Sequence, residues 1–236
     1  MTILQLHESV TRFTGLTDAT ASRLGVLDDE QLTALSVLAA PEAIAVVTRH
    51  EFGTSITHVI ATRGPWLAEH VVEGDAHHLH AGDADHAALR LLDRSGFLEP
   101  DIDVSLALGR AVDVTLGALR RASELAFAGD RRRARAALLA EGAPAIDAHE
   151  LADALARGRV EVAGLAADGR RFIGCDLATV GDAHTGRWLV PTSAHAEAPL
   201  GARFRHPSYA GSLRALVERV GADKLRDEVA LVFGEV

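Results

Sequence analysis

The chain has 236 residues, of which 48% are hydrophobic and 24% are charged. This length and composition are typical of one large or two small globular domains built around an apolar core. The formal net charge is -9 and the pI is about 5.7. Nucleic acid and anionic membranes are therefore not expected as the main partners, because binding to phosphate groups requires a basic surface.

The single cysteine and the first residues bear on the cellular compartment. Cys175 has no second cysteine with which to form an internal disulfide. The start, Met1–Gln5, has neither the basic nor the apolar region of a signal peptide. The chain also contains no apolar run near the roughly 20 residues of a membrane span. We therefore expect a cytoplasmic protein.

The first half of the chain predicts a helix, four strands and a second helix. Asp28–Gln31 opens the first predicted helix, which carries Leu32, Leu35 and Leu38. Pro41 ends this first helix, because proline lacks the N–H that a helix requires and restricts the residue before it. The elements that follow are predicted at Glu42–Thr48, Ser55–Thr62, Trp66–Glu73, His77–His80 and about Asp85–Asp93.

The middle of the chain predicts a helical hairpin after a short strand at Asp101–Leu106. The first helix is predicted from about Leu108 to Ala128, and the second from Asp130 to Glu141, where Gly142 ends it. The residues predicted to face the core are Val112, Leu116, Leu119, Leu138 and Leu139.

The last part of the chain repeats the order of the first. Asp147–Glu150 has the pattern of a capping box, and Asp168-Gly169 is a strong signal for a hairpin turn. Leu213, Leu216 and Val217 fall at helical spacing before Gly221, a candidate left-handed cap. The predicted strands are Arg159–Ala167, Arg171–Val180, Arg187–Thr192 and Ala202–His206, and the closing helix begins at about Ser208.

The repeated order defines the expected fold class. Asp28–Gly96 and Asp147–Gly221 each predict a helix, several strands and a helix, although they share almost no identities. We expect an α+β fold with two pseudo-symmetric helix–antiparallel-sheet–helix halves around a central sheet, and a helical hairpin between them. We expect one domain over residues 1–236, with an N-terminal half of about 1–96, a linking helical region of about 97–146 and a C-terminal half of about 147–236.

A group of histidines suggests a metal site as an alternative function. His77, His78 and His80 lie within four residues, followed by Asp83 and Asp85, and zinc accepts such ligands. With His86, these histidines could form the site of a metal-dependent enzyme or sensor. The same stretch also has the pattern of a polar edge strand that leads into a helix, and no second fixed motif such as HExxH accompanies it.

The sequence contains no motif for nucleophilic catalysis or phosphate binding. It has no GxSxG, no CxxC and no glycine-rich phosphate loop after a strand. Cys175 lies within a predicted buried strand, where it is expected to be a core residue. Trp66 and Trp188 begin strands at equivalent places and are expected to anchor the core, and Arg131–Arg135 is expected to form a solvated helix face. We therefore expect no enzyme and no cofactor.

Several stretches resemble the EspG family, which is associated with the ESX (type VII) secretion systems of actinobacteria. In the second half these are Gly158–Val162, Asp168–Arg171 and Asp182–Val190, where a strand and a Gly-Arg hairpin lead to a Gly-Arg-hydrophobic strand. In the first half they are Ala39-Ala40-Pro41 and Val59–Arg63. The resemblance covers roughly residues 20–220 in the order and spacing of elements. It departs from the family at residues 1–27, where members carry a longer strand-and-helix segment.

The resemblance implies a fold of two pseudo-symmetric α+β halves with flanking helical bundles. It also implies the function of a cytosolic, non-catalytic chaperone that binds the apolar tip of PE–PPE-type substrates, keeps them soluble and helps to assign them to one secretion system. The expected partners are PE–PPE-like or WXG100-like secreted proteins. A third possibility is a small-molecule-binding α+β module of another family, which a deep enclosed pocket would favour.

A chaperone of this kind needs an apolar patch with a polar rim. The resemblance places it on the sheet and a helical bundle, which correspond in this chain to the hairpin Leu165–Ile173 and the helix Leu116–Phe127. The residues of these two segments are chosen by their position in the predicted patch and not because they match motif positions of the family. The predicted partner-binding residues are Leu116, Leu119, Phe127, Leu165, Arg170, Arg171, Phe172 and Ile173.

Overall fold

The computed structural model describes residues 28–51, 54–100, 109–168, 171–191 and 213–234. The side chains of residues 167, 168 and 171–173 are outside this description. The sequence predictions for residues 1–27, for the strand Asp101–Leu106 and for the strand Ala202–His206 also lie outside the described residues.

The first half has the predicted order of elements. Asp28 accepts a hydrogen bond from the backbone of Gln31, whose side chain accepts one from Asp28 N, so the helix predicted to open here begins with a capping box. Gly96 adopts φ 73° and ends the second helix in the left-handed conformation that glycine favours. The elements are α1 (Asp29–Ala39), β1 (Ala43–Glu51), β2 (Thr54–Arg63), β3 (Trp66–Glu73), β4 (Ala76–Asp83), a 3-10 turn (Ala84–His86) and α2 (Ala87–Ser95).

The middle of the chain contains a strand where the sequence predicted the start of a helix. Residues Ala111–Thr115 form β5, in which Val112 and Val114 are buried at a spacing of two. The helix predicted from about Leu108 is therefore wrong at Ala111–Thr115. Leu138 is buried as predicted, but Leu139 is exposed. The helices of this region are α3 (Leu116–Phe127), α4 (Arg131–Ala140) and α5 (Ala145–Arg157).

The capping box predicted at Asp147–Glu150 is wrong. The helix α5 begins at Ala145 after Pro144, and no side chain caps it. Asp147 lies inside this helix, where it is buried and has its Oδ1 3.2 Å from Nη1 of Arg110. The ion pair gives the buried carboxylate a partner, so the polar residue is used for packing against the sheet instead of for capping.

The end of the chain also differs from the prediction. The stretch predicted as a helix from about Ser208 contains β9, and Gly221 has φ -83° and precedes a helix as its N-cap, so the left-handed cap at Gly221 is wrong. The hairpin predicted at Asp168-Gly169 joins two strands paired from Asp168↔Arg171 inward. The elements are β6 (Arg159–Asp168), β7 (Arg171–Val180), β8 (Arg187–Val190), β9 (Arg214–Val220) and α6 (Ala222–Phe233).

The nine strands of the described residues belong to one open antiparallel sheet with the order β4-β3-β2-β1-β6-β7-β8-β9-β5. The central pair is β1 and β6, joined in the register Val46↔Ala163. From this pair, four strands run outward in chain order on each side, and β5 is added at one edge. Each set is preceded by a helix, α1 or α5, and followed by a helix, α2 or α6. The α+β class and the two pseudo-symmetric halves are confirmed.

The helices cover both faces of the sheet. Helices α2 and α6 contact each other on one face, where they pack over Ala45, Val47, Val162 and Leu177. Helix α1 covers the other face of the first half. The layer of α3, α4 and α5 covers that face in the second half. No helix in the described ranges has both the length and the apolar character needed to cross a bilayer.

The two tryptophans have different environments, although both begin strands. Trp188 is fully buried in the core beneath α3–α5, as predicted. Trp66 is 53% exposed, so its predicted core role is wrong. Cys175 is buried as predicted, and burial, together with the negative charges of Asp176 and Glu228, raises the pKa of its thiol to about 12. The thiol is therefore a core group with no tendency to ionise at neutral pH.

Candidate partner-binding surface

An open groove lies between α3 and α4 on the helical layer. Its volume is about 740 Å³, within the range of roughly 300–1,000 Å³ that is usual for binding clefts. The floor consists of small residues that leave space between the two helices, and charged side chains stand at its rim. The lining residues are Thr115, Gly117, Ala118, Arg121, Leu125, Arg133, Ala136, Ala137, Ala140 and Glu141. We call this feature the α3–α4 groove.

Local sequence fixes the two helices that form the groove. Thr115 accepts a hydrogen bond from Ala118 N at 3.1 Å and caps α3, and Asp130 accepts one from Arg133 N at 3.1 Å and caps α4. Gly129 has φ 84° at the tight connection between the helices. Beneath the groove, Ala122 and Leu138 are buried in the core. The two helices that form the groove are therefore fixed to the core through their buried faces.

The helical hairpin is basic, although the protein as a whole is acidic. Between residues 116 and 141 the chain has six arginines against three carboxylates, whereas the whole chain has 24 Lys and Arg against 33 Asp and Glu. Arg131 lies 3.6 Å from Asp153, and Arg133 lies 3.5 Å from Asp130. The other four are exposed and form no ion pair with any described residue: Arg120, Arg121, Arg132 and Arg135. The predicted solvated face of α4 is confirmed.

The predicted partner-binding residues of α3 have unequal access to solvent. Phe127, at the end of the helix, is 50% exposed, and Leu116 is half-buried. Leu119 is only 9% exposed and packs in the core with Ala122 and Leu138. Phe127 therefore offers the largest contact area of the three.

The predicted residues of the β6–β7 hairpin lie elsewhere in the fold. Leu165 is half-buried and packs against the cluster under α1, which is separate from the cluster that contains Leu119. Arg171, Phe172 and Ile173 belong to β7 by their backbone, and Arg170 lies outside the described residues. The structure does not bring Leu165 and Leu119 into one cluster, and the assignment of these residues to a partner site stays a prediction.

The sequence interpretation missed the residues that line the groove. Its search selected large apolar side chains, whereas the groove exists because Gly117, Ala118, Ala136 and Ala140 are small. A signal was present on α4, since Ala136 and Ala137 lie four and three residues before Ala140 on a helix rich in arginine. The sequence shows the small residues but not the way in which the two helices cross.

The structure separates the histidines that suggested a metal site. Strand geometry places His77 on one face of β4 and His78 and His80 on the other. His80 lies 3.9 Å from Glu30, and His77 contacts His70 of β3. Among the described residues, no three His, Cys, Asp or Glu side chains are placed to hold a metal ion together. The metal-binding alternative therefore has no geometric support in this part of the chain.

His70 and His77 form a stacked pair across β3 and β4. Nε2 of His70 lies 2.9 Å from Nδ1 of His77, and the ring centroids are 5.2 Å apart. His70 is buried, and burial together with the neighbouring His77 lowers its pKa to about 4. The folded state thus favours the neutral form of His70.

We expect this pair to make folding sensitive to mild acid. As the pH falls from about 6.5 to about 4, the unfolded chain binds a proton at His70 that the folded chain does not, so the free energy of unfolding falls by up to about 3 kcal/mol. In His70→Gln this part of the pH dependence should disappear, as measured by urea unfolding between pH 7 and pH 4. Replacement of the exposed His86 by Gln is the control. Equal pH slopes for the wild type and His70→Gln would contradict the expectation.

A buried carboxylate with three partners lies on the opposite face of β3. Glu69 is fully buried, and its oxygens lie 2.9 Å from Nδ1 of His58, 2.8 Å from Nη1 of Arg90 and 2.7 Å from Nε of Arg94. Burial alone would raise the pKa of Glu69, but the hydrogen bonds from His58 and Arg94 and the charges of both arginines outweigh it and lower the pKa to about 2. This cluster ties α2 to the sheet.

A smaller cavity lies at the start of α6. Its volume is about 250 Å³, and Pro100, Gly109 and the first turn of α6 line it. Lys224 and Glu218 form an ion pair at 3.2 Å, and Arg226 and Asp223 form another at 2.5 Å. The cavity is smaller than usual ligand pockets, and the charges around it already have partners. It gives the small-molecule alternative little support.

The fold and the groove define a mixed α+β protein with one open antiparallel sheet and a grooved helical layer. No protein-family model matches the chain, and a search of curated proteins finds no match. Among solved structures, the chain is similar to the Mycobacterium tuberculosis type VII secretion system chaperone EspG5 in complex with a PE25–PPE41 dimer. The identity is 17% and the TM-score is 0.49, over 97% of this chain and 86% of that one. At this TM-score the likeness carries no argument about function.

Proposed function

We propose that this protein is a non-catalytic cytoplasmic chaperone that binds an apolar tip of a PE–PPE-type secreted protein through the α3–α4 groove. The observation that carries the proposal is the groove itself, an open cleft of about 740 Å³ with a floor of small residues and a charged rim. From the sequence resemblance to EspG proteins, we expect a partner surface on this helical region. The class of partner follows from that resemblance.

The groove has the properties that an exposed apolar tip requires. Gly and Ala residues on the floor permit close approach of a partner's side chains, and polar groups at the rim limit contact with water. An amphipathic helix bound in a hydrophobic groove is a recurrent mode of recognition. Phe127 is half-exposed at the end of α3 and offers a second apolar contact on the same helix. A partner bound here would cover apolar groups that would otherwise associate with one another.

The test is co-expression with PE–PPE-like pairs, or with WXG100-like proteins, from the same genome. We expect a stoichiometric complex on size exclusion for the wild type and loss of that complex for Ala136→Trp, because the indole fills the groove. Ala136 is exposed, so the substitution does not disturb the core. Phe127→Asp should weaken the same complex.

The matched control is Ala39→Trp, which adds the same side chain at an exposed helical position on α1. We expect it to bind partners like the wild type. Failure of every such partner to form a complex with the wild type would overturn the proposed function. A complex that survives Ala136→Trp would keep the chaperone role and remove the groove as its site.

A further inference from the structure

We infer that the α3–α4 groove selects a partner helix whose apolar ridge is flanked by acidic side chains. The inference rests on the proposed function in taking this groove as the partner site, and it adds the chemistry of the segment that the groove accepts. The occupant is an amphipathic helix of another protein, with aliphatic residues toward the groove and Asp or Glu along both sides.

Charge is the first argument for this occupant. Arg121 stands at the rim on α3 and Arg133 stands at the rim on α4, so a helix in the groove has a guanidinium on each side. Among the lining residues, Glu141 is the only carboxylate. Arg120, Arg132 and Arg135 add positive charge on the same two helices.

The available ion pairs give the second argument. In the described part of the chain, Arg121 has no ion-pair partner, and Arg133 has only the 3.5 Å contact with the N-cap Asp130. Arginine binds carboxylates in two-pronged geometry, which favours Asp and Glu over neutral residues. A basic hairpin on a protein of net charge -9 therefore attracts an acidic segment to one place on the surface and repels it from the rest.

The floor gives the third argument. Ala118, Ala136, Ala137 and Ala140 present only Cβ atoms, so the space between the helices accepts branched or long aliphatic side chains from the occupant. The combination requires an apolar ridge of one helical face between two acidic flanks. A helix with lysines on its flanks would place like charges beside Arg121 and Arg133.

The experiment uses two synthetic helical peptides with the same leucine ridge, one flanked by Glu and the other by Lys. Binding to the full-length chain is followed by fluorescence anisotropy at about 0.1 M and about 1 M salt, between which the Debye length falls from about 10 Å to about 3 Å. We expect the Glu-flanked peptide to bind and the Lys-flanked peptide not to bind. The affinity for the Glu-flanked peptide should fall roughly tenfold at high salt and in Arg121→Glu/Arg133→Glu.

The charge reversal at Arg133 is designed so that a loss of fold cannot explain a loss of binding. Arg133 is the third residue of α4 after the N-cap Asp130, where Glu favours the helix through its dipole and the capping box. Lys224→Glu is the matched control. Lys224 is the third residue of α6 after the N-cap Gly221, so the control makes the same change of charge at the same helical position away from the groove.

Several results would overturn the inference. One is equal binding of the two peptides, and another is an effect of Lys224→Glu as large as that of Arg133→Glu. The chain could also form a dimer in sedimentation experiments. If Ala136→Trp dissociates that dimer, the groove binds a second copy of this chain instead. Binding of the Glu-flanked peptide without any complex with PE–PPE-like proteins would support the inference and overturn the partner class of the proposed function. A PE–PPE complex that is lost in Ala136→Trp but is unaffected by salt and by Arg133→Glu would support the proposed function and overturn the inference of an acidic partner helix.

Discussion

Replacement of Trp188 by Ala is expected to lower the free energy of unfolding by about 3–5 kcal/mol. Trp188 is fully buried and packs in the core beneath α3, α4 and α5. It lies on β8, a strand of four residues between β7 and β9. The loss of the indole leaves a cavity where the helical layer meets the sheet, because the strands on both sides restrict any collapse. Urea unfolding followed by circular dichroism measures the change.

The control for this experiment is the other tryptophan. Trp66 begins β3 but is 53% exposed, so Trp66→Ala should change the free energy of unfolding by less than about 1 kcal/mol. Similar losses for the two variants would show that Trp188 is not the core residue described here. The comparison is also relevant to the binding experiments, because the helices that form the groove pack over Trp188.

Replacement of Glu69 by Gln should cost about 3 kcal/mol of stability at pH 7 and much less in acid. The pKa of Glu69 is about 2 in the folded state, whereas the ordinary pKa of a glutamate side chain is 4.5. The unfolded chain therefore binds a proton more readily, and the stabilisation from the carboxylate is fully present above about pH 4.5 and is lost as the pH falls toward about 2. At pH 3 the advantage of the wild type should shrink to about 1 kcal/mol.

The measurement is urea unfolding of both proteins at pH 7 and pH 3. Glu73→Gln is the control, because Glu73 lies on the same strand and the same face but is exposed. We expect the control to follow the wild type at both pH values. A difference between the wild type and Glu69→Gln that stays constant from pH 7 to pH 3 would mean that the ionised carboxylate is not what stabilises the fold.

The first half of the fold could be predicted from the sequence because local signals agree with the final packing. The capping box at Asp28, the break at Pro41 and the glycine turn at Gly64 determine where elements begin and end. The strand Trp66–Glu73 has the predicted bounds. Neighbouring strands in this half also pair in chain order, so no distant contact decides what each segment becomes.

Two strands, β5 in the middle of the chain and β9 near its end, could not be predicted because their apolar residues fit two periods. Leu213, Leu216 and Val217 fit a helix, yet Ala215, Val217 and Arg219 alternate correctly for a strand between β8 and β5. Val112 and Val114 of β5 form the other side of the same ladder. Each segment becomes a strand because the other is present about 100 residues away, and a local pattern does not contain that information.

The candidate site was predictable only in its general location. The sequence indicated the helix Leu116–Phe127, and the groove lies along it. Most of the predicted contact residues are large and apolar, whereas the structure offers a cleft between small residues. The buried Glu69 could not be predicted either. Arg90 and Arg94 lie one helical turn apart and are a sequence signal for a carboxylate partner. The carboxylate that they contact, however, lies on a strand more than twenty residues earlier.

The central pairing of β1 with β6 has a consequence for synthesis on the ribosome. The ladder joins Ala43 to Ala166, so β1 leaves the ribosome long before its partner exists. At about 5–20 residues per second, the interval is on the order of ten seconds. Until β6 is made, β1 can pair only with β2, so the backbone groups of its other edge have no strand partner. A protein proposed to cover the apolar surfaces of others is thus synthesised with one strand edge of its own uncovered. We expect the nascent chain to be most prone to association at that edge.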